Sequence, residues 1–257
     1  MSTPTALRVV EAHARVYRQT WRGSIISTFL TPVLTLVSLG IGLGSLIDEN
    51  GGPGGVPYLV WLGPGLLAAA AMQTAAGDSS YPVMAGIKWT KGYDAALATP
   101  LTVEDLIFGH LGWVGIRVLM TAVVYAGVLF VFGALDFASG LATLLPALLT
   151  GMAFAAPITA LTARMQQETG LSTLFRFGIV PLFLFSGTFF PIDQLPDWLQ
   201  PVAYLTPLWH GVELCRGAAG VPDSPYFPPW IHIGYLLLWI AVGTFLAVRQ
   251  LRRRMVK

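Results

Sequence analysis

The sequence predicts an all-α membrane protein with six transmembrane helices, and three observations support this fold class. Of its 257 residues, 54% are hydrophobic and only 11% are charged, whereas a soluble globular domain carries about 25% charged residues. Six apolar stretches are each long enough to cross a bilayer core, which needs about 20 helical residues. The basic residues are concentrated between alternate stretches. Such a chain cannot cover a surface that faces water, but it can cover one that faces lipid.

The predicted spans also have a predicted orientation. They cover residues 25–47, 57–77, 106–134, 139–163, 171–190 and 230–248. If both termini are cytoplasmic, 12 of the 15 Lys and Arg residues lie inside, Arg117 and Arg176 lie within spans, and only Arg216 lies outside. Because the cytoplasmic flanks of spans carry an excess of Lys and Arg, we expect the N- and C-termini in the cytoplasm.

Residues 1–24 predict an amphipathic helix ahead of a six-span domain at 25–257. An apolar stripe recurs at spacings of three and four residues, and a basic stripe lies beside it. The apolar stripe consists of Leu7, Val10, Ala14, Tyr17 and Trp21. The basic stripe contains Arg8, Arg15, Arg18 and Arg22. This pattern is typical of a helix lying in the membrane interface; a solvated helix packed on protein is the alternative.

The cytoplasmic segment at about 88–100 is predicted to hold a short helix between the second and third spans. Tyr93 to Ala98 can form this helix, and Pro100 cannot continue it freely. Thr102, followed by Asp105, resembles the start of the next helix. A short helix at this position is well placed to contact a cytoplasmic partner.

The outer segment at about 188–229 is predicted to be a re-entrant hairpin. It mixes apolar, aromatic and proline residues, so it is too interrupted for a span and too apolar for a free loop. Non-helical backbone at membrane depth must be covered by protein or line a wet cavity. We therefore expect one or two short helices that dip into the outer leaflet.

Motifs for catalysis and for nucleotide or metal binding are lacking from the sequence. It has no Walker A motif, no Gly-x-Ser-x-Gly motif and no histidine pair at metal-ligand spacing. His210 lies three residues before Glu213, which indicates either a proton or substrate site or a local polar pair. We expect no catalytic residue and no metal site. A membrane-embedded lipid-modifying enzyme and a non-energised scaffold remain as alternatives to a transporter.

Arg117 and Arg176 are the two basic residues inside predicted spans. Intramembrane charges are costly and usually mark pathways or partners. Both residues are also shallow enough for their side chains to reach the inner head groups. If they face a cavity instead, they suit an anionic or phosphate-bearing head group.

Several motifs resemble the type-two ABC exporter permeases. They are Ser186-Gly187, Phe189-Phe190-Pro191, Leu195-Pro196, Leu205-Thr206-Pro207, Arg216-Gly217 and the segment from Gly92 to Pro100. The similarity extends over essentially the whole chain. Within that family, the sequence is most similar to the nodulation lipooligosaccharide exporters and the daunorubicin-resistance permeases.

The resemblance implies a transport mechanism and its partners. Two copies of an ABC ATP-binding subunit would carry ATP and Mg, with no cofactor on this chain. They would pair with a homodimer of this permease in the bacterial cytoplasmic membrane. A lipid-linked, glycolipid or amphipathic drug-like substrate would move outward. The implied partners are thus protein and membrane lipids, with no nucleic acid.

The resemblance also assigns residues. Coupling to the ATPase would involve Lys91, Gly92, Tyr93, Asp94, Leu97, Thr99 and Pro100, together with the basic N-terminal helix. The substrate path and outer gate would involve Phe183, Phe185, Phe189 and Phe190, with Arg117 and Arg176. For each phenylalanine, simple exposure to lipid is the alternative.

Overall fold

The computed structural model describes residues 5–49 and 51–255, and this part of the chain is helical with irregular connections. The α-helices are α1 Thr5–Thr35, α2 Gly44–Asp48, α3 Tyr58–Asp78, α4 Tyr81–Met84, α5 Gly92–Leu97, α6 Val103–Val131, α7 Phe137–Arg164, α8 Thr169–Leu174, α9 Val180–Phe185, α10 Gln200–Tyr204, α11 Pro207–Ala218 and α12 Pro229–Met255. Short π-helical stretches join α1 to α2 at Leu36–Leu43, follow α4 at Ala85–Trp89, and join α8 to α9 at Phe175–Ile179. The predicted all-α class is confirmed.

Among the described residues, five helical stretches are long and apolar enough to cross a membrane. They are Leu30–Asp48, Tyr58–Trp89, Val103–Val131, Phe137–Arg164 and Pro229–Met255. These correspond to the first, second, third, fourth and sixth predicted spans.

The predicted fifth span, 171–190, corresponds to a shorter apolar helix. This helix runs over Thr169–Phe185, about 25 Å at 1.5 Å per residue, which is less than the bilayer core of about 30 Å. It ends five residues before the predicted boundary because Ser186 leaves the helical conformation and Gly187 has a φ of 75°. Glycine adopts this left-handed conformation without steric penalty.

Helices α3 and α7 form the centre of the bundle. Helix α7 packs on α3, α6, α11 and α12, and most of the α3 span is buried. Small residues allow close approach at these contacts. Gly243 of α12 lies against Pro157, where an added Cβ would be 2.6 Å from the proline nitrogen.

The N-terminal part of α1 packs along α6, with both helices running in the same direction. The Thr5 hydroxyl donates a 2.6 Å hydrogen bond to Asp105, and Val9 is buried against Gly109. Leu7, from the predicted apolar stripe, is exposed, whereas Tyr17 of the same stripe packs edge to face on Trp113 of α6. The predicted boundary at residue 24 is not marked by a helix end, because α1 continues to Thr35.

The predicted outer segment folds back over the bundle. Ten consecutive residues of α11, from Pro207 to Arg216, are buried. This helix contacts α3, α7 and α12. This part of the predicted outer segment thus belongs to the protein core.

Candidate functional site

The first candidate region is helix α5, which was predicted to be cytoplasmic and is anchored by Tyr93. The Tyr93 ring is buried against Gly86, where an added Cβ would lie 2.7 Å from a ring carbon. Burial raises the pKa of the Tyr93 hydroxyl because the charged form is poorly solvated. Tyr93 therefore faces the protein and cannot contact a partner directly. Its role is to hold α5 in place.

The remaining predicted coupling residues lie on the open side of α5 or beside it. Lys91, Gly92, Asp94, Thr99 and Pro100 are exposed, and Leu97 is half-buried. Lys91 adopts a left-handed conformation with φ 51°, which turns the chain into α5. The Thr99 hydroxyl closes the helix by donating to the Ala96 carbonyl at 2.6 Å. The exposed residues together form a small surface that a partner could contact.

Polar contacts fasten the helix ends around α5. Thr102 and Asp105 form a capping box at the start of α6, as the sequence predicted. The Lys88 ammonium donates to the Gln166 carbonyl at 2.8 Å, beyond the end of α7. Arg254 of α12 donates to the carbonyls of Ala163 and Met165. The Arg252 guanidinium of α12 also pairs with Glu104 at the start of α6. Helix α12 is thus joined to the ends of α6 and α7, and the stretch after α4 is joined to the residues after α7.

The N-terminal arginines point away from the contact with α6. Arg8, Arg15 and Arg18 are exposed, while the side chain of Arg22 lies outside the described residues. Arg15 makes only a 4.0 Å contact with Glu11, and such exposed pairs contribute little. These cations remain available to anionic lipid or to a partner.

The contact face of the N-terminal helix contains a histidine that the sequence analysis did not single out. His13 stacks on Trp113 with ring centroids 6.1 Å apart, and the His110 ring lies 5.6 Å away. Burial lowers the pKa of His13, so the neutral imidazole is favoured at neutral pH. The face that packs on α6 is thus aromatic and uncharged around His13.

The second candidate region surrounds Arg117. Its Nε donates to the Asp78 carboxylate at 3.3 Å, and its guanidinium lies 4.5 Å from the centre of the Tyr17 ring. The pair borders a 270 Å³ cleft between α1, α3 and α6. The hypothesis that Arg117 faces a cavity is therefore favoured over simple snorkelling.

Sequence reasoning missed Asp78 as the partner of Arg117. The predicted second span ended at residue 77, so Asp78 was counted with the cytoplasmic segment. In the structure, Asp78 lies within the long apolar helical stretch Tyr58–Trp89. Arg176 is exposed, does not line this cleft, and has no side-chain partner among the described residues. The two intramembrane arginines therefore do not form one site.

The third candidate region is the end of the bundle that was predicted to face outward, where the four predicted phenylalanines separate. Phe183 and Phe189 pack edge to face with centroids 4.8 Å apart. Phe190 packs in a different cluster, with Ile192, while Phe185 is exposed. The four rings do not form a continuous lining. Phe189 and Phe190 also lie after the helix rather than in it.

A buried arginine holds the outer segment to α3. Arg216 donates to the carbonyls of Trp61 at 3.2 Å and Gly187 at 2.7 Å, and its guanidinium stacks 3.5 Å from the Trp61 ring centre. Glu213 forms its ion pair at 3.6 Å. Burial lowers the pKa of Arg216 to about 10, so it stays charged at neutral pH.

The predicted neighbours His210 and Glu213 have different partners. The Nδ1 atoms of His210 and His232 are 2.9 Å apart, while Glu213 accepts from the Tyr226 backbone and pairs with Arg216. His210 and Glu213 therefore do not form one polar pair, because each contacts a different partner. Both contacts connect α11 to neighbouring parts of the fold.

Comparison with known proteins identifies related chains over nearly the whole length. The model of the family described as ABC-2 type transporter matches residues 10–219. Nodulation protein J of Sinorhizobium fredii is 33% identical, with 91% of this chain and 87% of that protein aligned. Nodulation protein J of Rhizobium leguminosarum bv. trifolii is 32% identical over the same shares. The inner membrane transport permease YadH of Escherichia coli is 24% identical, covering 83% of this chain and 86% of that one.

Proposed function

Because the chain belongs to the ABC-2 type transporter family, we propose that it is the transmembrane permease of an ATP-driven exporter. Family membership makes it a transport subunit. The finer proposal is that separate ATP-binding subunits, which carry ATP and Mg, dock on the surface around α5. A homodimer of this permease would work with two such subunits. Its substrate would be lipid-linked or otherwise amphipathic, moved out across a bacterial cytoplasmic membrane.

The observation that carries this proposal is the construction of α5. Tyr93 anchors the helix in the bundle, while Lys91 and Asp94 remain exposed. A force applied to the open side of α5 would therefore reach the second and third spans through a buried ring. The fastened ends of α6, α7 and α12 would distribute it further. This is the arrangement expected of a coupling element.

Helix Thr169–Phe185 also supports a six-span topology despite its length. Before it, the Lys88 ammonium contacts the Gln166 carbonyl near the end of the second span. After it, the Tyr58 hydroxyl at the start of that span contacts the Phe189 carbonyl at 2.8 Å. The segment therefore runs between opposite ends of the bundle. With this sixth crossing, both termini lie on the basic, cytoplasmic side, and α11 enters the outer leaflet.

A homodimer would also account for apolar surface on single spans. In the most apolar part of the span Leu30–Asp48, only 22% of the residues are buried within the chain. Phe177, on the short fifth helix, is 78% exposed. In a membrane, such surfaces are covered by lipid or by another helix. A second permease copy could cover part of them.

The proposal is tested by purifying the tagged chain from its native membrane in mild detergent and identifying its partners by mass spectrometry. A stoichiometric ATP-binding subunit is expected with the wild type. The charge reversals Lys91→Glu and Asp94→Arg together should reduce its recovery at least tenfold. Asp197→Arg, an exposed charge reversal on the outer segment, is the matched control and should leave recovery unchanged. Failure to recover any ATP-binding subunit in several detergents would remove the proposed energy source.

A further inference from the structure

The cleft beside Arg117 contains polar groups that the described part of the chain does not satisfy. Among the described residues, the Arg117 guanidinium donates only through Nε, to Asp78, which leaves its terminal nitrogens for a further acceptor. Asp78 Oδ1, the Gln73 amide and the Tyr125 hydroxyl have no hydrogen-bond partner among the described residues and line the same 270 Å³ cleft. Thr121 is already bonded to Thr74 at 3.1 Å. The cleft thus offers the unused hydrogen-bonding atoms of an Arg–Asp ion pair beside neutral donors or acceptors.

The position of these groups makes their lack of partners significant. Arg117 is the central residue of α6, Val103–Val131, and Asp78 lies within an apolar helical stretch. In hydrocarbon, an unsatisfied polar group costs several kcal/mol. None of these atoms is among the buried, unpartnered side-chain atoms of the described residues, so they open onto the cleft, where water or the polar atoms of a ligand can reach them.

The cleft lies toward the cytoplasmic half of the bundle. The Thr162 hydroxyl donates to the Ser79 carbonyl at 3.0 Å, and Thr162 lies two residues before α7 ends at Arg164. Asp78 is therefore near the cytoplasmic end of α7. The Gln73 side chain is exposed at the cleft. A lipid in the inner leaflet can bring its head group to this level.

We propose that this cleft binds the head group of a zwitterionic phospholipid with a primary ammonium, such as phosphatidylethanolamine. The phosphate would accept hydrogen bonds from the free side of Arg117, and the ammonium would donate to Asp78 Oδ1. An anionic head group would be repelled by Asp78, and a simple cation by Arg117. Charge-assisted bonds of this kind are the strong ones, so both ends of the head group contribute to selection.

Native mass spectrometry of the isolated chain tests the proposal without any ATP-binding subunit. The purified protein is incubated with phosphatidylethanolamine, phosphatidylcholine, phosphatidylglycerol or a monogalactosyl diacylglycerol. Phosphatidylethanolamine should be retained about tenfold more than the others, since each of these lacks one of the two interactions. Equal retention of all four lipids, or preferential retention of the uncharged galactolipid, would overturn the proposal.

Variants locate the binding in the cleft. Asp78→Asn and Arg117→Gln should each abolish the preference for phosphatidylethanolamine. The swapped double variant Asp78→Arg with Arg117→Asp keeps an ion pair, and it should fold and restore part of the preference. Glu104→Gln removes a different ion pair, with Arg252, and should leave lipid retention unchanged. The proposal is wrong if folded Asp78 and Arg117 variants keep the wild-type preference for phosphatidylethanolamine. It is also wrong if the only change in these variants is that a dimer becomes monomers, with lipid retention unaltered.

The outcome is independent of the proposed export function. Lipid retention is measured on the permease alone, so the absence of an ATP-binding subunit would not alter it. Conversely, recovery of that subunit depends on α5 and does not require an occupied cleft. The two proposals can therefore fail separately.

Discussion

Removing the buried guanidinium of Arg216 should destabilise the outer segment strongly. Arg216 is 3% exposed and bonds to carbonyls on both α3 and the 187–188 turn. Its ion-pair partner Glu213 is also buried. Arg216→Met would leave Glu213 as an uncompensated buried charge and leave the carbonyls without this donor.

The expected magnitude follows from these contacts. Breaking a buried pair by removing one partner costs about 3–5 kcal/mol. Glu213→Gln should cost less, about 1–3 kcal/mol, because Arg216 keeps its carbonyl acceptors. The double variant should cost less than the sum of the single variants, since no isolated charge remains. A coupling free energy of about 1–3 kcal/mol is expected.

Thermal unfolding in detergent, followed by circular dichroism, measures the effect. For a chain of this size, about 2–4 °C per kcal/mol is expected, so Arg216→Met should lower the Tm by roughly 6–20 °C. Arg252→Met is the matched control, because the Arg252–Glu104 pair is exposed and should contribute less than about 1 kcal/mol. The reasoning fails if the two variants lose the same stability, or if the Arg216 and Glu213 effects are additive.

Three further predictions concern the buried helix α11. Cys215 is fully buried, so a maleimide should label it only after denaturation; labelling of the native protein would contradict the packing of α11. Gly211→Ala should destabilise the folded protein by about 1–3 kcal/mol, because the new Cβ would lie 2.1 Å from the Thr150 hydroxyl oxygen. Adding Thr150→Ala should restore part of the lost Tm. If the Tm is not restored, the clash lies elsewhere. Burial lowers the pKa of His210 from 6.5 to about 4, so the unfolded state binds more protons between these values and the Tm should fall as pH drops from about 6.5 toward 4. His210→Gln should flatten that profile in a pH series of melting curves, and an unchanged profile would exclude His210 as its source.

The helical architecture could be predicted because it depends on local properties of the chain. Apolar length predicts a span, since a helix satisfies its own backbone in lipid. The capping box at Thr102 is also local, and it is present in the structure. The motifs around Phe189 and Arg216 also predicted the protein family, and comparison with known proteins confirms it.

Residue partners could not be predicted in the same way, because they depend on contacts distant in the chain. Asp78 and Arg117 are 39 positions apart, and the local sequence around either residue does not indicate the other. Tyr93 belongs to a predicted coupling surface, yet its ring faces inward against Gly86. No periodicity within a six-residue helix reveals which side meets the bundle.

Composition and charge distribution alone therefore predict a helical membrane protein and its basic side, whereas the coupling role of the short helix comes from the family resemblance. They do so because burial in lipid and satisfaction of backbone hydrogen bonds act on each span separately. Packing of α3, α6, α7 and α11 determines which polar groups meet. It buries Arg216 beside Trp61 and opens a polar cleft at Arg117, because a side chain's electrostatic environment is set by neighbours from several helices at once.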